Sequence, residues 1–175
     1  MARSLRKKMA SRRGFTLLEM LACVLTMILL ALICTVGLNM AMKSYNESVF
    51  ESSSQMLESM INTSVGDVLR YSYGVSDSGG GNGVSFSNRT FDVSSGRLVL
   101  DAEGHLMLQK DSTPESAKVL LVGTGVYIES MYISDFVLEY DVDTCVYTGS
   151  YKIKSDKTGQ EKTVSFIYKS FLESL

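Results

Sequence analysis

Tryptophan is absent, and proline and histidine each occur once; each scarcity closes off a class of reading. With a single imidazole (His105), no CxxC pair and no close set of carboxylates and imidazole, neither a metal site nor another cofactor site is expected. Cys23 and Cys34 lie in an apolar run and Cys145 stands alone downstream, so no disulfide can form within the soluble part. All three read as small buried hydrophobes, with Cys145 pairing between subunits as the sharper alternative.

Catalytic constellations are missing too. A nucleophile needs a base, and His105 reads as a surface turn residue beside Gly104; the many serines have no GxSxG setting. Glu139, Asp141 and Asp143 alternate on what reads as a solvated strand end, and Asp141-Val142-Asp143 lacks the spacing of a dedicated calcium loop. The run Gly79-Gly80-Gly81-Asn82-Gly83 is followed by no GK[ST], so it is no phosphate cradle. The expectation is a protein that is not an enzyme.

Charge is distributed unevenly. Arg3, Arg6, Lys7, Lys8, Arg12 and Arg13 fall in the first 13 residues with no acid among them, leaving 11 of the 17 basic side chains against 19 acidic ones, a net of −8, for the rest. An acidic body does not suit phosphate-backbone contacts, so no direct nucleic-acid binding is expected. At 175 residues the chain has room for one domain with its own core.

Behind the basic start, Met20 to Met42 is free of charge over 23 residues, flanked by Glu19 and Lys43. A helix of that length reaches about 34 Å, enough for a hydrocarbon core of about 30 Å. The cationic side is expected to stay cytoplasmic, with the C-terminal part outside. A secretory signal peptide competes, and Ala31, Cys34, Gly37 and Ala41 supply small residues for a late cut. The run is longer than an ordinary apolar region of that kind, and the helical pattern continues past it. Glu19 is the odd residue, since a carboxylate at the membrane lip is costly without a partner.

Arg12-Arg13-Gly14-Phe15-Thr16-Leu17-Leu18-Glu19 closely resembles the prepilin signature of type IV pilins and of the pseudopilins of type II secretion and competence systems. The match covers the leader and the apolar helix, about a quarter of the chain. The resemblance implies cleavage after Gly14 by a prepilin peptidase, N-methylation of Phe15, and a subunit-assembly role for Glu19, whose carboxylate would neutralise the amine of Phe15 on a neighbouring subunit. It implies as partners other pilin subunits, an assembly platform protein, an assembly ATPase and the membrane. Expected localisation is the cytoplasmic membrane as a single-pass protein, then a cell-surface or periplasmic filament. Prepilins are bacterial and archaeal, so the triplets at Asn46, Asn62 and Asn88 that fit N-glycosylation read as chance. Many major pilins carry a proline late in this helix; here Gly37 and Asn39 stand there instead. The lack of a disulfide pair points to a minor pilin or pseudopilin. An unprocessed single-span anchor with an extracytoplasmic binding or sensor domain is the alternative.

The expected layout is a removed leader (1–14), a transmembrane and filament-core helix (15–42), an amphipathic helix half (43–73), a Gly/Ser-rich loop (74–89) and an antiparallel sheet domain (90–175). The amphipathic stripe comprises Tyr45, Val49, Met56, Met60 and Val68, with Leu57, Ile61, Val65 and Leu69 as an adjoining row. Strands are predicted over 90–93, 97–100, 105–109, 118–122, 126–133, 136–141, 145–154 and 162–169, with turns at 101–104 and 156–159. The fold class is α+β, an antiparallel sheet wrapped on the amphipathic half of the helix as in the pilin-like roll.

Overall fold

The computed structural model describes residues 16–77, 83–111 and 117–172. The expected leader, Gly14 and Phe15 lie outside them, as does most of the glycine run. The chain divides into two units, residues 1–45 and 46–175.

Among the described residues of the first unit the only element is the beginning of helix α1 (Leu17–Arg70). Every described residue up to Tyr45 is exposed. The polar groups in this apolar stretch bond to their own backbone: the Thr26 hydroxyl donates to the Cys23 carbonyl (2.9 Å) and that of Thr35 to Ala31 (2.8 Å). The helix runs unbroken through Gly37 and Asn39. Cys23 and Cys34, expected to be buried, are exposed, because no described residue of this unit covers them. By length and composition α1 can cross a membrane, with a mean hydropathy of 2.7 over its most apolar 18-residue window.

The second unit is α+β. The rest of α1 buries Phe50, Ser54, Leu57, Ile61, Val65, Gly66, Val68 and Leu69, spacings of three and four that define one face. Of the stripe Tyr45, Val49, Met56, Met60 and Val68, expected to be covered, Val68 is buried and Val49 half-buried, while Tyr45, Met56 and Met60 are exposed by 70%, 46% and 37%; the adjoining Leu57–Ile61–Val65–Leu69 row is buried throughout. The rows are neighbours around the helix; one is covered throughout, the other only at Val68 near the end of α1.

Among the described residues, eight strands follow. Tyr73–Asp77 (β1), Val84–Asn88 (β2), Val93–Leu100 (β3), Leu106–Gln109 (β4) and Lys118–Leu120 (β5) form an antiparallel meander. Met131–Asp141 (β6), Val146–Ser155 (β7) and Glu161–Lys169 (β8) form a second antiparallel sheet. Alternation sets the inward faces, as in Leu98, Leu106 and Leu108 on one sheet and Ile133, Leu138, Tyr147, Tyr151 and Ile153 on the other. With the helix face they make one hydrophobic core.

The end of α1 is held by side chains and backbone from both sheets. Its last carbonyls lack intrahelical partners, and each of three receives a donor. Val68 accepts from the Asn88 amide (2.8 Å), Leu69 from the Ser72 hydroxyl (2.6 Å), and Arg70 from the Phe171 N–H (2.9 Å). The Ser72 hydroxyl also meets Tyr147 Oη at 2.6 Å. On the helix face, Asn62 takes Tyr168 Oη on its carbonyl (2.7 Å) and Tyr151 Oη on its side chain (3.2 Å). Gly66 leaves room for the Tyr168 ring, whose nearest carbon would stand 3.2 Å from an added Cβ.

Several predicted boundaries are corrected. Residues 74–89, expected as a loop, contain β2 and most of β1; the serines that suggested a loop point outward while Val84 and Phe86 are buried. Residues 90–92 of the predicted strand at 90–93 are a turn, because Asn88 Oδ1 accepts from the N–H groups of Thr90 and Phe91. The predicted strand at 126–133 begins as two single 3₁₀ turns, Thr124–Val126 and Ile128–Ser130. The expected break near residue 134 is a bulge within one strand, where Asp135 adopts φ +53° and its carboxylate meets Lys152 Nζ at 3.1 Å.

Candidate functional site

Two groupings of chemistry-bearing side chains stand out, one in each unit. The first is at the start of α1. Glu19 Oε2 accepts from the Thr16 backbone N–H (2.9 Å) and from the Thr16 hydroxyl (3.0 Å), and Thr16 Oγ1 accepts from the Glu19 N–H (3.3 Å). This is a reciprocal capping box: Thr16 is the residue before the helix, Glu19 lies three positions on, and each satisfies the other's orphan donor. A carboxylate there also faces the positive end of the helix dipole. Glu19 thus has a local partner, which the sequence argument did not supply, although the T-x-x-E spacing was there to read. Gly14 and Phe15, the expected cleavage and methylation residues, lie outside the described residues.

The second grouping is the β3–β4 turn. Gly104 sits at φ +78°, the left-handed region, and closes a turn in which Asp101 Oδ1 accepts from the N–H groups of Glu103 (2.9 Å) and His105 (2.7 Å). The same turn places His105 Nδ1 3.0 Å from Asp101 Oδ2 and 3.6 Å from Glu103 Oε2. The His105 side chain is only 12% exposed. The Tyr127 ring packs edge-on against it with centroids 4.4 Å apart, and Tyr127 Oη accepts from the Leu106 N–H (3.1 Å). Burial would raise the Asp101 pKa, but the hydrogen bonds from His105 and Glu103 and the His105 charge outweigh it, so the carboxyl sits below its usual range. Tyr127 is pushed up, chiefly by burial. Two readings are corrected: His105 is no plain surface turn residue, and carboxylates and imidazole do come together. The spacing D-x-E-x-H was the available signal.

The other acidic group behaves differently. Asp141 Oδ1 accepts from the Asp143 N–H (3.0 Å) and Oδ2 from the Thr144 hydroxyl (2.7 Å), so the carboxylate holds the β6–β7 turn. Cys145, at φ +56° in that turn, is half-buried with Sγ 3.7 Å from the Val142 carbonyl.

Comparisons with protein-family models, with curated proteins and with solved structures each find no match. Fold and composition together define an α+β protein with one helix able to cross a membrane.

Proposed function

We propose that this chain is a minor pilin or pseudopilin, a non-enzymatic subunit of a type IV pilus-like filament with a pilin-like roll as its folded domain. Prepilin peptidase removes the basic leader after Gly14, and the new amine on Phe15 is methylated. The apolar half of α1 holds the subunit in the cytoplasmic membrane, with the sheet domain outside, until an assembly ATPase and platform protein move it into the filament.

The observation that carries the reading is the run Arg12-Arg13-Gly14-Phe15-Thr16-Leu17-Leu18-Glu19 directly ahead of the uncharged stretch. An α+β domain built on the amphipathic continuation of the same helix is compatible with it. Mass spectrometry of the mature N terminus tests it: methylated Phe15 is expected, and an intact leader or a cut near Ala41 overturns it.

The Thr16–Glu19 box favours a second reading, an unprocessed single-span anchor carrying an extracytoplasmic binding or sensor domain. In that protein Glu19 needs no neighbour, since Thr16 already satisfies it. Glu19→Gln separates the two, because glutamine can also close a capping box but carries no charge. The filament reading expects Glu19→Gln subunits to be cleaved yet to enter fibres poorly. Equal incorporation of variant and wild type removes the charge-pairing role of Glu19.

A further inference from the structure

The β3–β4 turn carries the makings of a metal centre. Two ligands on one tetrahedral zinc, each bonded at about 2.0–2.2 Å, stand about 3.4 Å apart. His105 Nδ1 lies 3.0 Å from Asp101 Oδ2 and 3.6 Å from Glu103 Oε2, which brackets that separation. All three ligand atoms fall within 4.8 Å of one another. One imidazole and two carboxylates suit a borderline divalent cation better than calcium or magnesium, which take oxygen ligands. The imidazole is also held from outside the turn, by the Tyr127 ring 4.4 Å away, and Asp101 is oriented by backbone N–H groups on its other oxygen.

Asp101 and Glu103 also line a cleft of about 500 Å³ with Gly104, Tyr132, Ser134 and Asp156, while His105 does not line it. The Ser134 hydroxyl there is buried without a hydrogen-bond partner.

We infer that Asp101, Glu103 and His105 bind one zinc-like divalent cation, with water completing its coordination. The site is separate from the N-terminal signature and does not depend on the filament reading.

The test uses the full-length chain in detergent, titrated with Co²⁺ and then Zn²⁺. Expected is one equivalent of Co²⁺ with the intense visible absorption of a four-coordinate site, displaced by Zn²⁺. Glu103→Gln, at a side chain 80% exposed and so safe for folding, should weaken binding at least tenfold, and His105→Gln should remove it. Absence of saturable binding, or binding that neither substitution changes, overturns the inference.

Discussion

Helix α1 carries two regions that obey the same backbone rule and opposite side-chain rules. Along residues 17–45 the side chains are apolar nearly all round, and each is exposed. Along residues 46–70 one face is apolar and buried, while the rest carries Asn, Ser, Glu and Asp. The second region has buried most of its apolar face within the chain. The first has not: Leu21, Leu25, Ile28, Leu32 and Val36 are each exposed by more than half. A soluble protein rarely leaves such a contiguous patch uncovered, and by length and composition this stretch can cross a membrane.

The comparison is broken or sharpened most strongly by one substitution made twice. Leu57 is fully buried and Leu29 is 52% exposed. In urea unfolding of the full-length chain in detergent, followed by circular dichroism, Leu57→Ala should cost about 2–5 kcal/mol through lost burial and the cavity left behind. Leu29→Ala should stay within about 0.5 kcal/mol. Equal losses at both positions would mean that the first region is packed by its own chain after all.

A smaller effect is expected from the polar pair Asn88 and Asn39. Asn88 is buried and serves three backbone groups, donating to Val68 and accepting from Thr90 and Phe91. Asn88→Ala strands them and should cost about 2 kcal/mol. Asn39 is exposed in the apolar region, and Asn39→Ala should leave the unfolding midpoint unchanged. A neutral Asn88→Ala would show that water can replace the side chain at the end of α1.

The same contrast explains which parts were legible in the sequence. The Leu57–Ile61–Val65–Leu69 spacing gave the helix, and the alternation of Leu98, Leu100, Leu106 and Leu108 gave the β3–β4 pair, because period is a local property. Choosing between that row and the Met56–Met60 row was not local: both have helical spacing, and only the position of the sheets decides. Strand β2 was hidden by its outward serines, and the stretch Val126-Tyr127-Ile128 reads as strand from its β-branched and aromatic residues although tertiary context winds it into 3₁₀ turns. At the candidate sites, T-x-x-E and D-x-E-x-H were both visible as spacings. That the His105 ring packs under Tyr127, far along the chain, was not.

The smallest expected effect lies in charge, which the apolar region lacks and the amphipathic region uses. Lys162 on β8 reaches Glu51 and Glu58 of α1, at 3.2 Å each. Burial would lower the Lys162 pKa, but its hydrogen bonds to Glu58 and Glu51 and their charges more than offset that, so it is raised. A raised lysine contributes stability that is complete below its unfolded pKa of about 10.4 and fades as pH rises through the folded value. Glu51 is lowered, first by Gln55 and then by Lys162. Its contribution is complete above the unfolded pKa of about 4.3 and fades as pH falls through the folded one. Lys162→Gln should therefore cost about 0.2–1 kcal/mol on a plateau between those limits, as a partly exposed ion pair does, and progressively less beyond either. The measurement is the urea midpoint of both proteins across pH. A cost that persists unchanged at both extremes would assign the role of Lys162 to its aliphatic stem packing on the helix, and the amphipathic region would then be held by apolar contact alone.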